Sequence, residues 1–389
     1  MKKVAVLTSR FPFPLERGDK LRIYHQIRQL SQDSDIVLIA LSDTEVPKEH
    51  IAELEKYAKV YTIYVSFFKK IVNIGLGWLR GLPLSVAFFT DLAAKKEIEK
   101  IIAFENPDFI YCQLIRMAEY AKELNTNKII DYQDAFSKNM ARRAKKANFF
   151  ARILFQHEAK RLAKYEAKAF HFFQHHFIIA ENDRDALFFE EKKQIEICQN
   201  GIELDFFDEK KFQHVEKKYD LVFVGNMGYH PNIEAAQYLV NEILPLLKKE
   251  KTNINVLIAG ARPSLAVKNL ANENVTVQGW VEDIRMAYSE SSIFVAPLFQ
   301  GSGQQNKVLE TMAMGVPCIT TSIVNASTGA KPNEEILIAD TAQAFSDKII
   351  FLLKEKNEYN KLKINALQFV NQNFSWKKAT TPLQLIMNN

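Results

Sequence analysis

The chain is poor in cysteine, and the three it has, Cys112, Cys198 and Cys318, are scattered without a C-x-x-C spacing. That pattern excludes a disulfide framework and a clustered-thiolate zinc site, and it suits a reducing compartment. No stretch reaches the roughly 18 apolar residues that a membrane-spanning helix needs. The first residues, MKKVAVLTSRFPFP, carry the charges of a secretory leader, but their apolar run is short and ends in polar residues and prolines. VAVL therefore reads as a first strand, and a cytoplasmic location is expected. No fixed short period recurs, so a solenoid is excluded.

What is present is ordinary globular material, with 47% hydrophobic and 25% charged residues in 389. That length is long for one core, so two domains are expected. The net charge of +5 hides an asymmetry. Between Lys138 and Lys168 ten basic residues face only Glu158 and Glu166, and the remainder of the chain is slightly acidic. Such a block is either a solvated helix face or a surface for an anionic partner. Anionic membrane or a lipid diphosphate is preferred here over nucleic acid.

Short β-branched runs alternate with helical periodicity along the first half: KVAVLTS, DIVLIALS, KVYTIYV, DFIYCQL, NKIIDYQ, HFIIAE and QIEICQN. The second half repeats the pattern with YDLVFVGN, NINVLIAG, NVTVQG, SSIFVAPLF, PCITT and EEILIAD. This is the signature of parallel sheets wrapped by helices, so the fold class is α/β with two doubly wound halves in series. The boundary is expected at the turn-forming pair Asn200-Gly201, giving domains 1–199 and 200–374. A last helix, 375–389, is expected to pack back on the first domain.

The most informative segment is Gly301–Thr321, GSGQQNKVLETMAMGVPCITT. It follows a buried-type strand, so its small-residue loop opens at a strand's carboxyl end, where open α/β sheets bind ligands. Small residues let backbone N–H groups approach a phosphate, and the following helix adds positive potential at its N-terminus. Lys307 and Glu310, three apart, share one helix face, while Val308, Leu309, Met312 and Ala313 can face the sheet. By themselves the two charges could equally be an exposed ion pair.

Three further constellations stand out. After the first strand, SRFPFPLERGDKLRIYHQIRQLS places Gly18 at a helix start with Asp19, Lys20 and Arg22 in its first turns. KIIDYQDAFSKNMARRA delivers Asp131 and Asp134 to a strand end, where the pair could be a base and its partner, a helix cap or a metal pair. LVFVGNMGYHPNIEAA opens the second half with Asn226, His230 and Pro231 in its loop. Other features carry less. Asp33/Asp35 lie at the wrong end of their strand for a ligand, and Asp183/Asp185 read as a helix start, so no metal is assigned. GLGWLRG at Gly75–Gly81 lacks the acid of a dinucleotide fingerprint and, with Trp78, Leu79, Leu82, Lys69, Lys70 and Arg80, fits a membrane-touching edge better. His171, His175 and His176 lie among phenylalanines and suit packing more than metal binding.

The run APLFQGSGQQNKVLETMAMGVPCI resembles the donor site of retaining GT-B glycosyltransferases of the family 4 type. NGIELDFF is similar to the motif that closes their first domain, and the Gly18 and Asp134 segments are similar to those of a bacterial exopolysaccharide-associated subgroup. The resemblance implies two Rossmann-like domains facing across a cleft, a nucleotide-diphosphate sugar as substrate with no other cofactor, and transfer to a glycan or lipid-linked hydroxyl acceptor. It implies that Glu310 holds the ribose hydroxyls, that amides of Gly301, Ser302 and Gly303 approach the diphosphate, and that Lys307 neutralises it. Gly18, Lys20, Arg22 and Asn226 would complete the donor site, with Asp134 beside the acceptor hydroxyl. The chain departs from the family pattern twice. Asn226 and Pro231 stand where a clamping arginine and lysine are usual, and Ser302 stands where a first glutamate is. A non-catalytic module of the same fold, binding nucleotide or membrane, is the alternative that these departures favour.

Overall fold

The computed structural model describes residues 1–15, 17–250, 254–300 and 303–388. It separates into two compact units, Met1–Gln199 with Ala379–Asn389, and Asn200–Lys378.

The first unit is built on seven parallel strands: β1 (Lys2–Thr8), β2 (Ser34–Ser42), β3 (Lys59–Tyr64), β4 (Phe109–Gln113), β5 (Asn127–Asp131), β6 (His175–Ile178) and β7 (Glu196–Ile197). Their spatial order is β3-β2-β1-β4-β5-β6-β7. Alternate residues feed opposite faces: Ala5, Leu7, Val37 and Ile39 enter one core, and Val4, Val6, Ile36 and Leu38 the other. That two-sided burial is why β1 and β2 read as continuous apolar runs. Leu383 and Met387, on the closing helix Trp376–Asn388, are buried in the second of these cores.

The second unit carries six parallel strands: β8 (Tyr219–Val224), β9 (Val256–Ala259), β10 (Val275–Gln278), β11 (Ser291–Ala296), β12 (Cys318–Thr320) and β13 (Leu337–Ile338). The order is β10-β9-β8-β11-β12-β13. Each unit thus has one place where chain order reverses, between β1 and β4 and between β8 and β11. A crevice opens there at the strands' carboxyl ends.

The basic block is not one helix. Phe136–Lys146 and Phe149–Phe170 are separated at Asn148, whose side chain accepts from Ala151 N at 3.1 Å and starts the second helix. GLGWLRG also has a local explanation. Gly75 and Gly77 lie inside the helix Phe67–Leu79, and a Cβ on Gly77 would come within 2.4 Å of that of Ala87, so glycine permits close packing there. His176 is buried, stacked on Phe170 at 3.8 Å and bonded to the Phe170 carbonyl at 2.8 Å.

Candidate functional site

In the second unit the exits of β8 and β9 are drawn together by glycine. Gly225 N donates to Ala259 O at 3.0 Å, and a Cβ on Gly260, whose φ is +137°, would lie 1.8 Å from Gly225 O. Only glycine fits that approach. From the neighbouring strand exit, the helix Asn306–Ala313 buries Val308, Leu309, Met312 and Ala313. This burial turns Lys307 and Glu310 toward the crevice. The Lys307 ammonium reaches across to the first turn of the helix His230–Tyr238, donating to Asn232 Oδ1 at 2.6 Å, 5.2 Å from the Phe223 ring centroid. Glu310 Oε2 accepts from the hydroxyl of fully buried Tyr288 at 2.9 Å.

The two charges are therefore not an exposed pair, because each is partly buried and held by its own partner. Burial pushes the Lys307 ammonium down to about 8, against the opposing pull of Glu310. It pushes the Glu310 carboxyl upward, against the Tyr288 hydrogen bond and the Lys307 charge. Groups so desolvated beside one another are typical of binding sites rather than of solvated helix faces.

The loop before the helix is pinned. The Gln304 side-chain amide pairs with the Asn200 backbone at 2.8 and 2.9 Å, and Gly303 O accepts from Ser327 Oγ at 3.2 Å. Gln305 at the N-cap makes no side-chain cap bond, which leaves first-turn N–H groups for an anion. Gly301 and Ser302 lie outside the described residues. Asn226 accepts from Gly228 N at 3.0 Å through Oδ1, and its carbonyl accepts from Asn232 Nδ2 at 2.9 Å, so its amide organises the turn. Arg262, exposed and at φ +56°, follows β9. Its carbonyl oxygen lies 3.0 Å from where a Gly228 Cβ would stand.

In the first unit Gly18 opens the helix Gly18–Leu30, is exposed, and has no atom within 4 Å of a would-be Cβ. Lys20 donates to Phe13 O at 2.9 Å and, with Arg10 and His50, lines a cavity of about 310 Å³. Arg22 departs from the expectation. It is buried, donates to Asp131 at 2.7 Å and to Cys198 O at 2.8 Å, and so is an interior group that ties the first helix to the sheet. Asp131, which also accepts from Tyr111 Oη at 2.8 Å, belongs to that interior pair. Asp134 is set apart from it. It is half-buried on the turn after β5, and burial with the nearby Asp183 and Asp131 charges pushes its carboxyl up to about 6. The helix Phe136–Lys146 begins at Ala135 without a side-chain cap, so Asp134 is not its cap.

Residues 218–355 match the family described as glycosyl transferases group 1. The matched residues lie within the second unit. The whole chain is similar to an uncharacterized 44.6 kDa protein in the cps region of Klebsiella pneumoniae, 24% identical and covering 97% of this chain and 98% of that protein. Among solved structures it is similar to a glycosyltransferase from Rickettsia africae, at 15% identity, TM-score 0.64, and 100% and 98% coverage. It is likewise similar to Anabaena HepE in complex with UDP and glucose, at 12% identity, TM-score 0.67, and full coverage of both chains. The fold is thus GT-B and the chain a transferase.

Sequence reading missed four residues of this transferase. Asn232, Tyr288 and Arg262 meet Lys307, Glu310 and the Asn226 turn only through the strand order, and no local pattern marks them. Arg116, three residues beyond β4, is the fourth. Its guanidinium lies between the rings of Phe89 and Phe136, at 4.8 and 4.9 Å from their centroids.

Proposed function

We propose that the chain transfers a glycosyl group from a nucleotide-diphosphate sugar to a hydroxyl acceptor, with retained configuration and without a metal, in surface polysaccharide synthesis. The observation that carries this reading is the placement of Lys307 and Glu310 on one helix at the β8/β11 reversal. A carboxylate there suits the ribose hydroxyls, and an ammonium and uncapped N–H groups suit a diphosphate. The leaving diphosphate develops negative charge as the anomeric carbon gains oxocarbenium character, and fixed dipoles and cations stabilise that separation. Lys307 and the helix N-terminus supply this at one side, and Arg262 is suited to add a second cation near the Asn226 turn. These groups take the role that a divalent ion would otherwise fill. Asp134 is assigned to the acceptor hydroxyl. The cps-region relative and the UDP complex of HepE support the polysaccharide setting and a uridine donor.

The test is incubation with a panel of UDP- and GDP-sugars and lipid-linked or glycan acceptors, with the product anomer read by NMR. The donor's configuration should be retained, and turnover should survive EDTA. An inverted product, or activity abolished by EDTA and restored by a divalent ion, would overturn the mechanism.

Peripheral attachment to an anionic membrane belongs to the same proposal. Among the described residues no helix is long and apolar enough to cross a membrane. The helix Phe67–Leu79 nevertheless exposes Phe68, Val72, Trp78 and Leu79, and the start of Phe149–Phe170 exposes Phe149 and Phe150. Lys69, Arg80, Arg142, Arg143 and Arg152 are exposed on or beside these segments. The block's two acids are turned inward: Glu158 accepts from Leu84 N and Ser85 N, and Glu166 from Ser137 N. Exposed apolar side chains flanked by exposed cations match an anionic lipid surface, where each cation adds about 1 kcal/mol. The chain should sediment with phosphatidylglycerol vesicles and not with phosphatidylcholine alone. Substituting Phe68 and Trp78 by serine should release it, and equal binding to both vesicle types would contradict the assignment.

A further inference from the structure

The reversal point of the first unit carries a set of polar atoms that the fold itself does not use. Three adjacent strands, β1, β4 and β5, each lead into a buried side-chain atom without a hydrogen-bond partner among the described residues. These are Thr8 Oγ1 at the end of β1, Arg116 Nε just beyond β4 and Gln133 Nε2 just beyond β5. Thr8 and Gln133 are themselves almost wholly buried, at 0% and 4% exposure. Buried polar groups are nearly always paired, and of the three residues Arg116 alone is also partly open to solvent, so its unpaired Nε is the one within reach of a ligand. The site faces outward through Arg116, Arg10 and Asp134, all partly exposed.

Its charge is unbalanced in one direction. Arg10 and Arg17 share Asp19, at 3.2 and 3.1 Å, whereas Arg116 makes no ion pair among the described residues, feels the Asp19 and Asp134 charges only at longer range, and stacks on two rings. Arg10 stacks on the same Phe89 ring as Arg116, at 5.0 Å, which brings both guanidinium groups to one aromatic support. A planar fork fixed by stacking, with its donors unclaimed, is preorganised for a carboxylate or phosphoryl group.

We infer that this site binds an anionic substituent of the acceptor, a phosphoryl or carboxylate group, held by Arg116 with Arg10 while the acceptor hydroxyl lies toward Asp134. This rests on the proposed glycosyl transfer, because it specifies the acceptor for that reaction. A phosphoryl group would come from a lipid-phosphate carrier, and a carboxylate from a uronic acid residue of the growing glycan.

The chain, saturated with UDP to fill the donor site, is titrated calorimetrically with N-acetylglucosamine 1-phosphate, glucuronic acid and neutral N-acetylglucosamine. At least one anionic probe should bind about tenfold or more tightly than the neutral sugar, as a charge-assisted hydrogen-bond pair allows. Preference for the phosphate points to the carrier, and preference for the carboxylate to a uronic acid. Arg116→Gln should remove the advantage, and Arg116→Lys should keep part of it. UDP affinity, measured separately, should be unchanged in both variants, and an unchanged thermal melting curve shows that the first unit still folds. Equal binding of charged and neutral probes, or an undiminished advantage in Arg116→Gln, overturns the inference. Failure of wild type to bind UDP would instead overturn the donor-site reading and leave the Arg116 comparison valid.

Discussion

Glu310→Ala is expected to lower kcat/KM for the nucleotide-sugar donor by roughly 10²- to 10⁴-fold. The proposed carboxylate accepts two ribose hydroxyls, and hydrogen bonds to a charged group contribute about 1.5–3 kcal/mol each. The same change orphans a second group, because the Tyr288 hydroxyl, fully buried, donates to Glu310 at 2.9 Å. Leaving a buried hydroxyl unpaired costs about 1–3 kcal/mol of stability, so a lower melting temperature should accompany the loss. Glu310→Gln separates the two effects. Its amide oxygen still accepts from Tyr288, so the melting temperature should recover while kcat/KM stays well below wild type. Tyr288→Phe should do the reverse, with a modest change in activity. Near-normal kcat/KM in Glu310→Ala, with the protein folded, would remove the carboxylate from the donor site.

Lys307→Met should lower kcat by roughly 10²- to 10³-fold, the usual range for one preorganised group facing transition-state charge. Its pH signature makes the assignment specific. Burial holds the ammonium at about 8 instead of the ordinary 10.5, so wild-type kcat/KM for the donor should fall as pH rises through about 8. The stability contribution of this lysine has the opposite sign. Between those two values the unfolded chain binds the proton more often than the folded one, so stability from this group rises with pH across that window. An activity decline above pH 8 in a protein that melts no lower would therefore be a titration of the site. In Lys307→Arg the decline near 8 should vanish, because guanidinium stays charged, although the altered reach keeps kcat below wild type. An unchanged alkaline limb in that variant would place the titration on another group.

The parts of this chain legible in its sequence are those governed by local periodicity. The apolar runs of both halves form strands, and the spacing of Val308, Leu309, Met312 and Ala313 put Lys307 and Glu310 on the opposite helix face, as found. What was not legible depends on which strand neighbours which. Arg22 looks like an available cation near a glycine turn, yet it is claimed by Asp131, 109 residues away, because β1 and β5 flank β4 in the sheet. The partners of the central pair have the same character, with Asn232 lying 75 residues from Lys307 and Tyr288 22 from Glu310. The break in the basic block did leave a signal, since an asparagine followed by a fresh helical period is a helix start. Charge counting alone passes over it.

The most direct measurement of the central assignment is a crystal structure of the chain with UDP. The account predicts the ribose hydroxyls within hydrogen-bond distance of Glu310, and the diphosphate at the N-terminus of Asn306–Ala313 beside Lys307. A nucleotide bound elsewhere, with Glu310 still engaged by Tyr288 alone and Lys307 by Asn232 alone, would contradict it.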